Sequence, residues 1–147
     1  MAKSNKILKI MKDHHALIET LFNEFKNNLG KEDAEELLGN FRWELQKHFL
    51  VEEEVVFRVC DESIEAELCK LIPNLTAQHD SMIKILNTIE KSVPNIKDAD
   101  VNSFQTLLES HKEMEEKNVY SELDSKLDKK EKEIMVARIS GIPIKRR

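Results

Sequence analysis

Apolar side chains recur along this chain at the three- and four-residue steps of helices and not at the alternation of strands. Ile7, Ile10, Met11, His14, Leu17, Ile18, Leu21 and Phe25 fall on one stripe, which predicts a helix from after Ser4 to about Asn28, closed by Leu29-Gly30. A second stripe, Leu37, Leu38, Phe41, Leu45, His48, Glu52, Val55, Val56 and Val59, predicts a helix from about Lys31 to Cys60. Gly39 inside it marks a close approach or a bend. Asp61 to Leu71 reads as a short helix or as the early turns of the next one, and Pro73 either starts that helix or kinks it. Leu75, His79, Met82, Ile83, Leu86 and Ile89 carry it to about Ser92, where Val93-Pro94-Asn95 breaks it. Asp98 or Asp100 can cap a fourth helix that carries Val101, Phe104, Leu107, Leu108, His111, Glu115, Val119 and Leu123. Lys129 to Ser140, with Ile134, Met135 and Ile139, forms a last short helix packed on the rest, and 141–147 is tail.

Four long amphipathic segments joined by short breaks predict an all-α, up-down-up-down antiparallel four-helix bundle with a short additional C-terminal helix. We expect one domain over 1–147, its core within about residues 5–127. Three glycines and three prolines are too few for a strand-and-turn fold. A net charge of -5 with mixed signs argues against a nucleic-acid surface, and the basic cluster Lys145–Arg147 is a weak signal. No apolar run approaches a membrane span and the start has no signal-peptide core. Cys60 and Cys69 lack the pairing of a thiolate metal site and read as reduced thiols, so a cytoplasmic protein is expected. Monomer and homodimer stay equally open.

Two stretches carry the chemistry: H-F-L-V-E-E-E-V-V-F from His48 and H-K-E-M-E-E-K-N-V-Y from His111. Each places a His and a Glu four apart, on one face of a helix. H-H-A-L-I-E-T-L from His14 and H-D-S-M-I-K-I-L from His79 extend the likeness to a helix-hairpin repeat of 63 to 65 residues. Antiparallel neighbours meet at positions equidistant from the turn between them, and by that measure His14, His48, Glu52, His79, His111 and Glu115 all reach mid-bundle depth. Helices rich in Lys and Glu produce single His/Glu pairs by chance, but a ligandless core would bury two carboxylates among valines and phenylalanines. Four imidazoles and two carboxylates without thiolate suit iron, manganese or zinc. The natural partition puts His14 and His48 on one ion and His79 and His111 on the other, with Glu52 and Glu115 bridging. His15, about 100° round the helix from His14, is a fifth imidazole ligand or a supporting or surface group. Glu53 and Glu116 can hydrogen-bond the ligands or substitute for them, and Glu54 faces solvent.

The ordered set D-H-H, H-F-L-V-E-E, Q-H-D and H-K-E-M-E-E, spanning about Ile7 to Leu127, resembles the hemerythrin-like, His-His-Glu cation-binding domain family. The resemblance implies a four-helix bundle holding two non-haem iron ions, oxo- or hydroxo-bridged, on His14, His48, Glu52, His79, His111 and Glu115. The oxygen-carrying members have two histidines four apart on the third helix and an Asp five after the fourth-helix His. Here Leu75 precedes a lone His79, and Glu115 stands four after His111. In both respects the chain looks more like the branch with bacterial iron-sulfur-cluster repair proteins and eukaryotic iron-sensing domains.

Three functions are then expected in order. The first is a di-iron protein that binds or senses dioxygen or a related diatomic. The second is a di-iron redox enzyme or iron-handling protein acting on peroxide, nitric oxide or damaged iron centres. The third is a metal-free or zinc-containing helical interaction domain.

Overall fold

The computed structural model describes residues 5–62, 67–93 and 95–141. Pro94 as a helix breaker and the basic tail from residue 142 onward lie outside them. Helix α1 spans Lys6–Asn27 and α2 spans Ala34–Val51, continued by a π-type segment, Glu52–Val56. A short α3, Val59–Glu62, and a 3-10 turn, Glu67–Lys70, lead to α4, Ile72–Ser92. Helix α5 spans Asp98–Glu115, passes through a second π-type segment, Glu116–Tyr120, and continues as α6, Ser121–Lys126; α7 spans Lys129–Gly141. The described residues contain no strand. Helix α1 packs on α2 and α4 on α5, and the two hairpins meet where α2 touches α4 and α1 touches the end of the α5–α6 rod. The expected all-α four-helix bundle is what forms, with α7 laid against α1 and the π segment after α2.

The buried positions of α1 are Ile7, Met11, His15, Ile18, Phe22 and Phe25, a run of four- and three-residue steps along one face. Such faces on four helices build two apolar cores. One gathers Ile7, Met11, Val51, Val55, Leu75, Val119 and Leu123; the other gathers Ile18, Phe22, Phe41, Leu45, Met82, Phe104 and Leu108. On every long helix a histidine falls between them: His15 between Met11 and Ile18, His48 between Leu45 and Val51, His79 between Leu75 and Met82, His111 between Leu108 and Val119.

Several local expectations are decided by the structure, some of them against the sequence reading. The second helix is not continuous to Cys60, because the Phe57 N–H donates to the Glu52 carbonyl five residues back, at 2.7 Å, and the chain turns there. Pro73 sits in the first turn of α4 and kinks nothing, since the missing N–H is one that a helix start leaves unpaired anyway. Neither Asp98 nor Asp100 caps α5; Lys97 precedes it without a side-chain cap, and both acids lie in the first turn, where the helix dipole favours them. A Cβ on Gly39 would meet open space, so no close approach requires that glycine. Gly30, at φ 79°, does take the left-handed conformation after α1. Ile134 is exposed, and Met135 and Ile139 seat α7 with the partly buried Val136 beside them. Cys60 and Cys69 are not free thiols but a disulfide, their Cα atoms 5.6 Å apart. That removes the reduced-thiol premise of the cytoplasmic expectation. No helix among the described residues is long and apolar enough to cross a membrane.

The start of α1 is capped from across the fold. Ile7 and Leu8 N–H groups donate to Asp124 Oδ1 and Oδ2 at 3.0 and 2.9 Å, while Lys132 Nζ stands 3.8 Å from the same carboxylate. The Asn5 side chain makes no capping bond. Asp124→Ala is expected to destabilise the protein by about 1–2 kcal/mol, read as a fall in Tm of roughly 3–8 °C.

Candidate metal centre

The layer between the two cores is a box of polar atoms. His15, His48, Glu52, His79, His111 and Glu115 are all buried, and both carboxylates are fully so. Their ligand atoms form two groups, His15, His48, Glu52 and Glu115 on one side and His79, His111, Glu52 and Glu115 on the other. Each group draws both histidines from one hairpin, and the groups share both carboxylates. Glu52 Oε1 lies 3.1 Å from His79 Nε2 and 3.5 Å from His48 Nε2. Glu115 reaches His15 Nε2 at 3.3 Å through Oε1 and His111 Nε2 at 3.1 Å through Oε2.

The outer nitrogens of the imidazoles decide what the inner ones can do. His15 Nδ1 contacts Glu116 at 2.7 Å, His79 Nδ1 contacts Glu53 at 3.1 Å, and His111 Nδ1 contacts Gln78 Oε1 at 2.6 Å. All three partners are acceptors, so each Nδ1 carries a proton, and in the neutral ring Nε2 then turns a lone pair inward. The inner nitrogens face one another: His15 and His48 Nε2 are 3.1 Å apart, and His79 and His111 Nε2 are 3.2 Å apart. Neither oxygen of Glu115 receives a hydrogen bond, despite the imidazoles beside it, because no N–H points its way. A dry pocket so crowded with acceptors, with the Tyr120 hydroxyl donating to Glu52 and nothing donating to Glu115, is unfavourable until a cation enters it. The residues present therefore fit a pair of metal ions.

Electrostatics agree. Burial pushes the His48 imidazole down to about 3, so it is neutral at pH 7, and burial lowers His111 and the half-buried His14 as well. Burial alone would raise the Glu52 carboxyl, but as acid is added the facing imidazoles, His48 first and then His111 and His79, gain positive charge beside it and hold it well below the usual range. Neutral imidazole and ionised carboxylate are the forms that ligate metals. Burial, with Glu52 beside it, pushes the Tyr120 phenol well up, so Tyr120 keeps its proton and donates it to Glu52 Oε2 at 2.6 Å.

Five of the six expected ligand residues meet in the box: His48, Glu52, His79, His111 and Glu115. The sixth place differs by one residue. His15 occupies it, and His14 lies outside both groups, half-buried, its Nδ1 3.4 Å from His48 Nδ1. The reason is helix phase. Buried positions 7, 11, 18, 22 and 25 leave the missing step at 15, whereas His14 shares an edge with Leu17, which is 48% exposed. The repeat then closes at 64 residues from His15 to His79 and 63 from His48 to His111, and His14 becomes the counterpart of Gln78. Each of that pair stands against the Nδ1 of the second histidine of its own hairpin.

Four further residues were given no role in advance. Gln78 precedes His79 as His14 precedes His15, and the repeat in its correct register pairs them. Tyr120 and Phe57, nine after His111 and His48, sit at matched places, Tyr120 on Glu52 and Phe57 at 5.9 Å from the His79 ring. Phe49 stacks on His79 at 3.9 Å, and its counterpart Lys112 pairs with Glu19 instead. Both π segments begin at or just after a box glutamate, and such segments gather at functional sites.

Compared with known families, residues 6–138 match the model of the Hemerythrin HHE cation binding domain. No curated protein and no solved structure matches the chain.

Proposed function

The chain belongs to the hemerythrin HHE cation-binding domain family, and from that premise we propose that it is a non-haem di-iron protein that binds or senses dioxygen or a related diatomic. The observation that carries this reading is the buried box, four inward imidazole nitrogens and two shared carboxylates, one of which, Glu115, receives no hydrogen bond. A nitrogen and oxygen set without thiolate suits iron. Four ligand residues per group leave coordination positions to spare in an ion that prefers six. An iron pair bound there would supply reversible redox chemistry and open positions for a small ligand. The chain's own part is to orient the imidazoles of His79, His111 and His15 through Glu53, Gln78 and Glu116 and to fix Glu52 through Tyr120. Phe49, Leu45 and Leu108 keep water from one side of the box, where a cavity of ≈ 10 Å³ is bounded by His15, His48 and His111. That is space for one molecule of about water size.

A second reading, redox turnover of peroxide or nitric oxide, is favoured by one feature. A cavity of ≈ 260 Å³ between α1, α2 and α7 reaches His48 past His14, Glu44 and Lys47, a polar approach for a small reactant. The experiment is metal analysis and an optical spectrum of protein purified without chelator, reduced anaerobically and then exposed to air. Two irons per chain, one for each group of ligands, and new near-ultraviolet absorption on oxidation are expected. A folded protein that neither retains iron nor takes it up on reconstitution overturns the proposal. Catalytic consumption of peroxide or nitric oxide with an added reductant selects the second reading.

A further inference from the structure

We propose that the Cys60–Cys69 disulfide is an exchange site for small-molecule thiols, and that its redox state sets how firmly the His79–His111 half of the box holds its cation. The second clause rests on the metal reading above; the first does not.

The bridge ties the chain just past the Glu52–Val56 π segment to the 3-10 turn that leads into α4. It spans nine residues of sequence, and both cysteines pack, partly buried, against the first apolar core. Both cysteines are only partly buried, and both line an open cavity of ≈ 470 Å³ with Glu53, Phe57, Ile72, Pro73 and Thr76. A small thiol can therefore reach either sulfur, and access governs exchange. One thiolate attacks a bridge sulfur and forms a mixed disulfide while the other cysteine leaves as thiolate. A second thiolate then attacks the external sulfur of the mixed disulfide. The products are two protein thiols and one oxidised disulfide of the reductant, so two electrons and two protons are transferred.

Two residues of the same cavity wall hold His79. Glu53 Oε2 accepts from His79 Nδ1 at 3.1 Å, and the Phe57 ring lies nearly parallel to the imidazole. The Cys60 N–H in turn donates to the Phe57 carbonyl at 3.2 Å, so the bridge begins one turn beyond the ring that steadies the ligand. With the bridge intact, Glu53 and Phe57 are pinned against the start of α4. With it open, both lose that restraint, and the orientation of His79 loosens. Losing a partner that orients a metal-bound histidine typically weakens metal binding about 10–100-fold. The matching position of the other half has Tyr120 within a continuous rod from the π segment into α6, and no bridge among the described residues.

The test uses the full chain with glutathione as the thiol and manganese(II) as the probe, an ion with little taste for thiolate. Folded protein incubated with glutathione is expected to expose both cysteines to a thiol reagent, with none exposed beforehand. After removal of glutathione, the weaker of the two manganese sites, followed by the resonance of the free ion, is expected to bind about 10-fold less tightly than in the oxidised protein. The double variant Cys60→Ser/Cys69→Ser, which has neither bridge nor thiols, is expected to match the reduced protein. A bridge that resists millimolar glutathione until the chain unfolds overturns the exchange site. Equal manganese affinities in the oxidised, reduced and doubly substituted proteins overturn the coupling. Normal thiol release with no binding of manganese(II) or iron(II) in either state overturns the metal reading and the coupling with it, and leaves the exchange site standing.

Discussion

Replacing His15 by alanine is expected to abolish one metal position and leave the other, so that metal content falls from two ions per chain towards one. His14→Ala is expected to keep both. His15 sends Nε2 into the box, 3.1 Å from His48 Nε2 and 3.3 Å from Glu115. Its loss leaves the first group with one imidazole and two carboxylates, too few nitrogens to hold an ion that the second group binds with two. His14 touches only the outer nitrogen of His48, at 3.4 Å, so its removal belongs with supporting partners, whose loss costs about 10–100-fold in affinity. Chelator competition on the two variants, with metal counted per chain, checks this. The reverse order, with His14→Ala losing an ion and His15→Ala keeping two, would sink the assignment of α1's ligand.

Acid is expected to have the second large effect, on the metal-free protein. The His48 imidazole has a folded value of about 3 against 6.5 when unfolded. Between those two values the unfolded chain binds a proton that the folded chain refuses, so stability rises with pH across that window and is flat above it. Below about pH 4.5 the ionised Glu52, whose folded value is depressed, acts in the same direction: its contribution is present above that pH and fades as pH falls. His48 alone is expected to remove about 2 kcal/mol of unfolding free energy between pH 6.5 and pH 5. The lowered His111 adds to this. Denaturant titrations of chelator-treated protein at pH 7 and pH 5 measure the difference, and a His48→Gln variant should lose most of it. Bound metal should steepen the dependence, because protons then compete directly with the cation for His48 and its neighbours.

The bundle was legible because its signal is redundant. Each long helix repeats its apolar step four or more times, and no single position decides the outcome. The meeting of His48, Glu52, His79, His111 and Glu115 was legible for a different reason: His48/Glu52 and His111/Glu115 are the same motif twice, and depth counted from three turns brings them together. What was not legible turned on a single residue of phase. Adjacent histidines differ by about 100°, and a stripe that admits both Leu17 and Ile18 cannot separate His14 from His15. The structure separates them by burying Ile18 and exposing Leu17. The π segments were equally invisible, since five-residue closure leaves no mark in composition or apolar spacing. The disulfide was hidden by its context: nine residues apart and alone, two cysteines carry no pairing signal until α3 and the 3-10 turn fold back on each other.

The even split of the box between two hairpins ties coordination to assembly. Glu52, from the first hairpin, stands 3.1 and 3.8 Å from the imidazoles of the second, and Glu115, from the second, stands 3.3 Å from His15 of the first. Neither hairpin owns a complete cage, and a cation that takes all four ligands of either group clamps one to the other. Occupancy is then a gauge of quaternary-like docking inside a single chain. Whatever pries the hairpins apart must release the ions, and whatever supplies the ions drives the halves together.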